Sequence, residues 1–202
     1  FRQIGTEEDE EAKEFLRKIL AEEPKDSPHP LWLVLIGHGT FDRKLAKFNL
    51  IGPDLEASEL TKWLKDFERP LVIINCSSSS APFIKALSGK GRSVVTATRS
   101  GYEQNFSHLG GYLATAIADP SADLDKDGQV SLLEAWLIAA RRTTEFYKLE
   151  GRLATEHSLL DDNGDGKGTQ SDWFRGLQVT KKSAEEDLLP DGLRAHQLHL
   201  IP

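Results

Sequence analysis

Apolar residues along this chain fall into short blocks whose spacing alternates between helix and strand. Ala12, Phe15, Leu16, Ile19 and Leu20 recur on one helical face, and Pro24 ends the run. Thr6, with Asp9 three residues on and acids from Glu7 to Glu11, reads as the cap of that helix. Leu31–Ile36 is a continuous apolar run, which predicts a strand buried on both faces, and a loop from Gly37 to Asp54 follows. Leu60, Trp63, Leu64 and Phe67 mark the next helix, and Leu71–Ile74 a second buried strand that ends at Asn75 and Cys76. Phe83, Ile84 and Leu87 predict a short helix closed by Gly89, and Ser93–Thr98 a third strand. Phe106–Ala118 and Leu132–Leu149 read as longer helices, and the alternation over Leu193–Ile201 as an edge strand. Strands alternating with helices imply parallel pairing, hence a single α/β/α sandwich over residues 1–202.

Composition narrows the partners. Hydrophobic residues at 39% and charged residues at 28% fit a packed domain, and no apolar run approaches the roughly 18 residues that cross a bilayer. A net charge of −7 argues against a nucleic-acid partner. Acids cluster at Asp119–Asp127 and Asp161–Asp165, which points to cations instead. A single cysteine excludes an internal disulfide. The chain begins at Phe1 and has no methionine, so it reads as a piece of a longer protein.

Two of the buried strands run into reactive residues. Leu31–Ile36 leads into Gly37-His38-Gly39, and Leu71–Ile74 into Asn75-Cys76 and four serines. Open parallel sheets gather their chemistry outside the carboxyl ends of the strands, and neighbouring strands lie about 4.8 Å apart. An imidazole beside a thiol favours the thiolate, so His38 is the candidate base and Cys76 the candidate nucleophile. The Gly39 and Cys76 amides are candidate donors to an oxyanion. A core cysteine and an unremarkable loop histidine are the competing reading.

Leu-Ile-Gly-His38-Gly39 resembles the Ser-Gly-His-Gly of metacaspases and the His-Gly of caspases and legumains. Cys76-Ser-Ser78-Ser-Ser80-Ala-Pro-Phe83 is similar to the legumain segment Cys-Glu-Ser-Gly-Ser-Met-Phe. Thr96 through Phe106 and Leu109-Gly110-Gly111-Tyr112 follow in matching order. The resemblance to caspase-like cysteine peptidases spans about Leu31 to Ile117 and implies a mostly parallel sheet whose first strand lies upstream of residue 1. It also implies hydrolysis of a peptide or protein substrate through a thioester. Asp42 and Arg43 stand at the mouth of the implied cleft, and Arg99 and Ser100 near its pocket wall, each with a plain surface role as the alternative. Ile74 and Gly111 stand where the family carries pocket acids, so its side-chain preference does not transfer. His29, His108, His157, His196 and His199 read as surface or core residues.

Asp123, Asp125 and Asp127, with Gly128 sixth, Ser131 ninth and Glu134 twelfth, match an EF-hand calcium loop, to which Gln129 gives only its carbonyl. Asp161, Asn163 and Asp165, with Gly166 sixth, Lys167 offering its carbonyl and Asp172 twelfth, repeat the pattern more weakly. The expected cofactor is calcium in a structural or regulatory role. Millimolar calcium outside the cytoplasm suits such loops. A calcium-binding interaction module on an inactive caspase-like scaffold is the rival to a calcium-stabilised peptidase.

Overall fold

A computed structural model describes residues 1–5, 11–180 and 189–199. The elements are α1 (Ala12–Glu22), β1 (Leu31–Leu35), β2 (Gly39–Phe41), β3 (Ala46–Phe48), β4 (Leu55–Glu56), α2 (Ala57–Trp63) and β5 (Leu71–Asn75). There follow α3 (Pro82–Leu87), β6 (Arg92–Thr96), α4 (Leu109–Ile117), α5 (Leu132–Leu149), β7 (Leu159–Asp161), β8 (Thr169–Gln170), β9 (Phe174–Arg175), β10 (Gln178–Val179) and α6 (Leu193–His196). Single turns of 3₁₀ helix occupy Pro120–Ala122 and Ser171–Trp173.

The central sheet is mixed, in the order β1-β5-β6-β7-β8. β1, β5 and β6 pair in parallel, with Leu35 opposite Asn75 and Asn75 opposite Thr96, and β7 and β8 return antiparallel. Helices cover both faces. Leu71, Ile73 and Val94 point into a core with Leu16, Leu60 and Phe83 of α1, α2 and α3. Val72, Ile74 and Val95 point the other way, onto Leu109, Leu113, Leu132 and Trp136 of α4 and α5. This alternation follows from the pleat, which sends successive side chains to opposite faces. None of the described helices is long and apolar enough to cross a membrane.

Three expectations change. β1 is an edge strand, with Val34 and Ile36 exposed, so it is not buried on both faces. The loop from Gly37 to Asp54 contains a three-stranded antiparallel sheet, β2-β3-β4. Its hairpin turns on Asp42, whose carboxylate accepts the Lys44 and Leu45 amides at 3.0 and 2.8 Å, and on Arg43 with φ 79°. Residues 193–196 form a helical turn in place of a strand, because Asp162 Oδ1 and Oδ2 accept the Gly192 and Ala195 amides at its start. α1 begins beyond Glu11 without a side-chain cap, and the predicted cap at Thr6 lies outside the described residues.

Candidate functional site

Parallel pairing brings the ends of β1 and β5 side by side, so His38 and Cys76 leave neighbouring strands. The Cys76 amide extends the pairing by donating to the Leu35 carbonyl at 2.8 Å. One residue past β5, the cysteine keeps the phase of Val72 and Ile74 and turns its side chain into the core against α4. It is 4% exposed. A side chain at Gly110 would stand 3.4 Å from its sulfur, so α4 lies directly on the thiol. His38 is exposed, and its ring meets Phe106 edge-on at 6.1 Å. Neither the His38 ring nor the thiol makes a hydrogen bond among the described residues. Burial, reinforced by the Glu156 carboxylate, pushes the Cys76 thiol up to about 12. Such surroundings favour the neutral thiol, the opposite of what a thiolate nucleophile needs.

Ser77 takes the place beside the histidine turn. A Cβ at Gly39 would meet Ser77 Oγ at 2.7 Å and collide with the Ser78 carbonyl, so glycine there permits the close approach of β2 to the serine turn. Gly39 and Ser78 are doubly bonded: the Gly39 amide donates to Ser78 Oγ at 3.1 Å, and Ser78 Oγ donates to the Gly39 carbonyl at 3.0 Å. Neither amide expected to face an oxyanion is therefore free. The physical reason for Gly39 is packing between two chain segments. Ser77 Oγ donates to Asn75 Oδ1 at 2.6 Å, which ties the turn to the end of β5.

Of the residues expected to line the implied cleft, Asp42, Arg99 and Ser100 have structural partners, and Arg43 is an exposed turn residue of the hairpin. The Asp42 carboxylate accepts the Lys44 and Leu45 amides to hold the hairpin, and those bonds hold its carboxyl below its usual range. Arg99 lies beside Glu103, with Nε 3.6 Å from Oε1, and its own amide donates to Glu103 Oε2 at 2.9 Å. Glu103 also pairs with His157 through Nδ1, and its carbonyl accepts the Ser79 amide at 2.8 Å. Ser100 Oγ accepts the Tyr102 amide at 3.1 Å, a local turn bond. Arg99 and His157 border a cleft of about 310 Å³ with Glu156, Ser158 and Asp172. The buried Glu156 caps α4, accepting from Ser107 Oγ at 2.6 Å and from the His108 and Leu109 amides at 2.9 and 2.8 Å. Glu156 was not foreseen and His157 was read as a surface or core residue, because nothing local to either signals a partner about 50 residues away.

The first acidic loop forms as a wrap ahead of α5. Asp123 Oδ1 accepts the Lys126 amide at 2.7 Å and Oδ2 the Gly128 amide at 3.1 Å. Asp125 accepts Asp127 at 3.1 Å, and Asp127 accepts Gln129 at 2.8 Å. Left-handed backbone at Lys126 and Gly128, φ 65° and 92°, makes the turn. Glu134 is 1% exposed. Its Oε1 accepts the Leu124 amide at 2.7 Å, and its Oε2 accepts both the Ser131 amide and hydroxyl at 2.8 Å, closing a capping box on α5. One oxygen each from Asp123, Asp125 and Glu134 lies within 4.8 Å of the others, so the three could hold a metal ion. Asp127 and Gln129 sit on the exposed rim, outside that trio. His196 of α6 was unforeseen here: its Nε2 meets Asp125 Oδ2 at 2.8 Å, and that bond holds the Asp125 carboxyl below its usual range.

The second loop departs from the expected frame after its seventh residue. The chain enters β8 beside β7 instead of a helix, and Asp172 is carried into the 3₁₀ turn at the cleft beside α5. Asp172 is thus exposed and apart from Asp161. In its stead the second loop is held by Asp191, which the sequence did not single out. Asp191 Oδ1 accepts the Asp162 and Asn163 amides at 2.9 and 3.1 Å, and Oδ2 accepts Thr169 Oγ1 at 2.6 Å. Burial raises the Asp191 carboxyl to about 7. The Asp191-Gly192 pair, a turn signal, was the available clue.

No protein-family model matches the chain, and no curated protein matches its sequence.

Proposed function

We propose that this chain is a calcium-binding domain built on a caspase-like scaffold, in which Cys76 is a core residue and the loop Asp123–Glu134 takes the ion. The observation that carries this reading is the convergence of Asp123, Asp125 and Glu134 oxygens within 4.8 Å at the start of α5. The donors fit calcium. They are hard carboxylate oxygens on a loop that already points its amides at the same carboxylates, and no thiol lies in the set. Calcium there would neutralise the converging carboxylates and fix the start of α5. Asp125 would exchange the His196 ring for the ion, so occupancy is felt at α6.

A thiol peptidase using His38 and Cys76 is the second reading, favoured by the adjacency of the β1 and β5 ends. It requires the thiol to leave the α4 core and the Gly39 and Cys76 amides to break their present bonds.

Calorimetric titration with calcium, run alongside hydrolysis of a positional peptide library, separates the two. The first reading expects calcium binding that Glu134→Gln weakens strongly, with no turnover at any calcium concentration. Peptide hydrolysis abolished by Cys76→Ala would overturn it in favour of the peptidase.

A further inference from the structure

The two acidic loops share one backbone wrap, and they part company at a single amide. In both, the fourth amide donates to the first carboxylate: Lys126 to Asp123 at 2.7 Å, Gly164 to Asp161 at 3.0 Å. In both, the fifth donates to the third side chain: Asp127 to Asp125 at 3.1 Å, Asp165 to Asn163 at 2.9 Å. In both, the seventh donates to the fifth: Gln129 to Asp127 at 2.8 Å, Lys167 to Asp165 at 2.7 Å. Left-handed residues stand fourth and sixth in each, Lys126 and Gly128 in the first, Gly164 and Gly166 in the second. The sixth amide differs. Gly128 donates to Asp123 Oδ2 at 3.1 Å, whereas Gly166 donates to Ser88 Oγ, just past α3, at 2.9 Å.

That diversion leaves Asp161 Oδ2 without a hydrogen bond, on a residue only 1% exposed, although the Ser88 hydroxyl and the Gly166 amide lie near enough to favour its charged form. Its sister oxygen accepts from Gly164, so the carboxylate faces into the wrap. A buried carboxylate oxygen left unpaired is unfavourable unless something satisfies it. Asn163 is oriented for the same purpose: its Nδ2 donates to the Leu189 carbonyl at 3.1 Å, which turns Oδ1 inward beside Asp165.

We propose that residues 161–167 form a second divalent-cation site of the calcium class, with Asp161 Oδ2, Asn163 Oδ1 and the Asp165 carboxylate as side-chain ligands. The assignment stands on the unpaired Asp161 oxygen and is independent of the Asp123–Glu134 site. All three donors are hard oxygens, which selects calcium or magnesium over zinc or copper. Two carboxylates, with the twelfth-position Asp172 carried away into the 3₁₀ turn, make it the weaker of the two, in the range of about 10⁻⁴–10⁻³ M typical of weak calcium modules. The ion would tie the end of α3, through Ser88, to β7 and to the segment around Asp191.

Equilibrium dialysis with calcium, on wild type, Glu134→Gln, Asp161→Asn and the double variant, tests the assignment. Wild type is expected to bind two equivalents, each single variant one, and the double variant none. Asp161→Asn relieves an unpaired charge without changing volume, so in chelator it should melt no lower than wild type, yet gain less from calcium. Should Asp161→Asn fail to fold, the half-buried Asp165→Asn carries the same test. The proposal is overturned if Glu134→Gln binds no calcium while Asp161→Asn binds as much as wild type. The converse result, one equivalent in Glu134→Gln and none in Asp161→Asn, supports the second site and sinks the first.

Discussion

The thiol of Cys76 offers the sharpest quantitative test. Packed against α4 and 4% exposed, it rises from an ordinary value of 9.0 to about 12. At pH 8 the thiolate fraction then falls from about one part in 10 to about one part in 10⁴, so alkylation slows by about 1,000-fold before steric exclusion is counted. The same shift links to stability. Between pH 9 and 12 the folded chain keeps a proton that the unfolded chain releases, so the stabilisation is complete below about pH 9 and is lost as the pH rises toward 12. The gap between the two values corresponds to about 4 kcal/mol across that window. Iodoacetamide labelling at pH 8, read by mass spectrometry with and without denaturant, measures the first effect. Urea melts from pH 8 to 11 measure the second, with Cys76→Ala as the control that should lack the alkaline slope. Native-state labelling as fast as free cysteine would refute the reasoning and restore the thiol as a candidate nucleophile.

Three further outcomes follow from named contacts. Glu134→Gln should lower the melting temperature even in chelator, because the capping box and the Leu124 and Asp125 amides lose a charged acceptor, a cost of about 1 kcal/mol. His196→Ala should bind calcium severalfold more tightly by calorimetry, since the ring no longer competes for Asp125; unchanged affinity would mean the His196 contact does not oppose the ion. Gly39→Ala should cost about 1–3 kcal/mol in urea unfolding while leaving calcium binding intact, because its Cβ would meet Ser77 Oγ and the Ser78 carbonyl.

How much of this was legible along the chain depended on whether the signal was local. α5 was read at its true bounds because eighteen residues of helical period follow a capping serine. β5 was equally plain as an apolar run between turn residues. What the run could not reveal was phase: Leu71 through Ile74 are all apolar and buried, so nothing along the chain says which face Cys76 joins. The sheet β2-β3-β4 escaped because its strands are two or three residues long and interleaved with lysine, asparagine and aspartate. Alternation over Leu193–Ile201 looked like a strand, but the Asp162 carboxylate, some 30 residues earlier, caps Leu193–His196 into a helical turn, and residues 200 and 201 lie outside the described residues. The first acidic loop was legible since Asp123, Asp125 and Glu134, which the structure brings together, lie within one short stretch. Asp172 lies in a 3₁₀ turn beyond β8, a placement that the spacing of the loop alone does not reveal.

The register of β7 beside β6 sets an order of events. Val94 pairs with Asp161, and Thr96 with Leu159, contacts between strands that α4 and α5 separate along the chain. Closing so long a stretch is entropically slow, and such non-local pairs form late in folding. The wrap at 123–134 closes on itself and needs only the first turn of α5, whereas the wrap at 161–167 cannot be complete before the sheet has zipped as far as β7. An ion arriving during folding therefore meets the first loop in a nascent chain and the second only in a finished domain. Calcium present from the start should speed the refolding of α5 and its neighbours, and act at residues 161–167 chiefly by slowing unfolding.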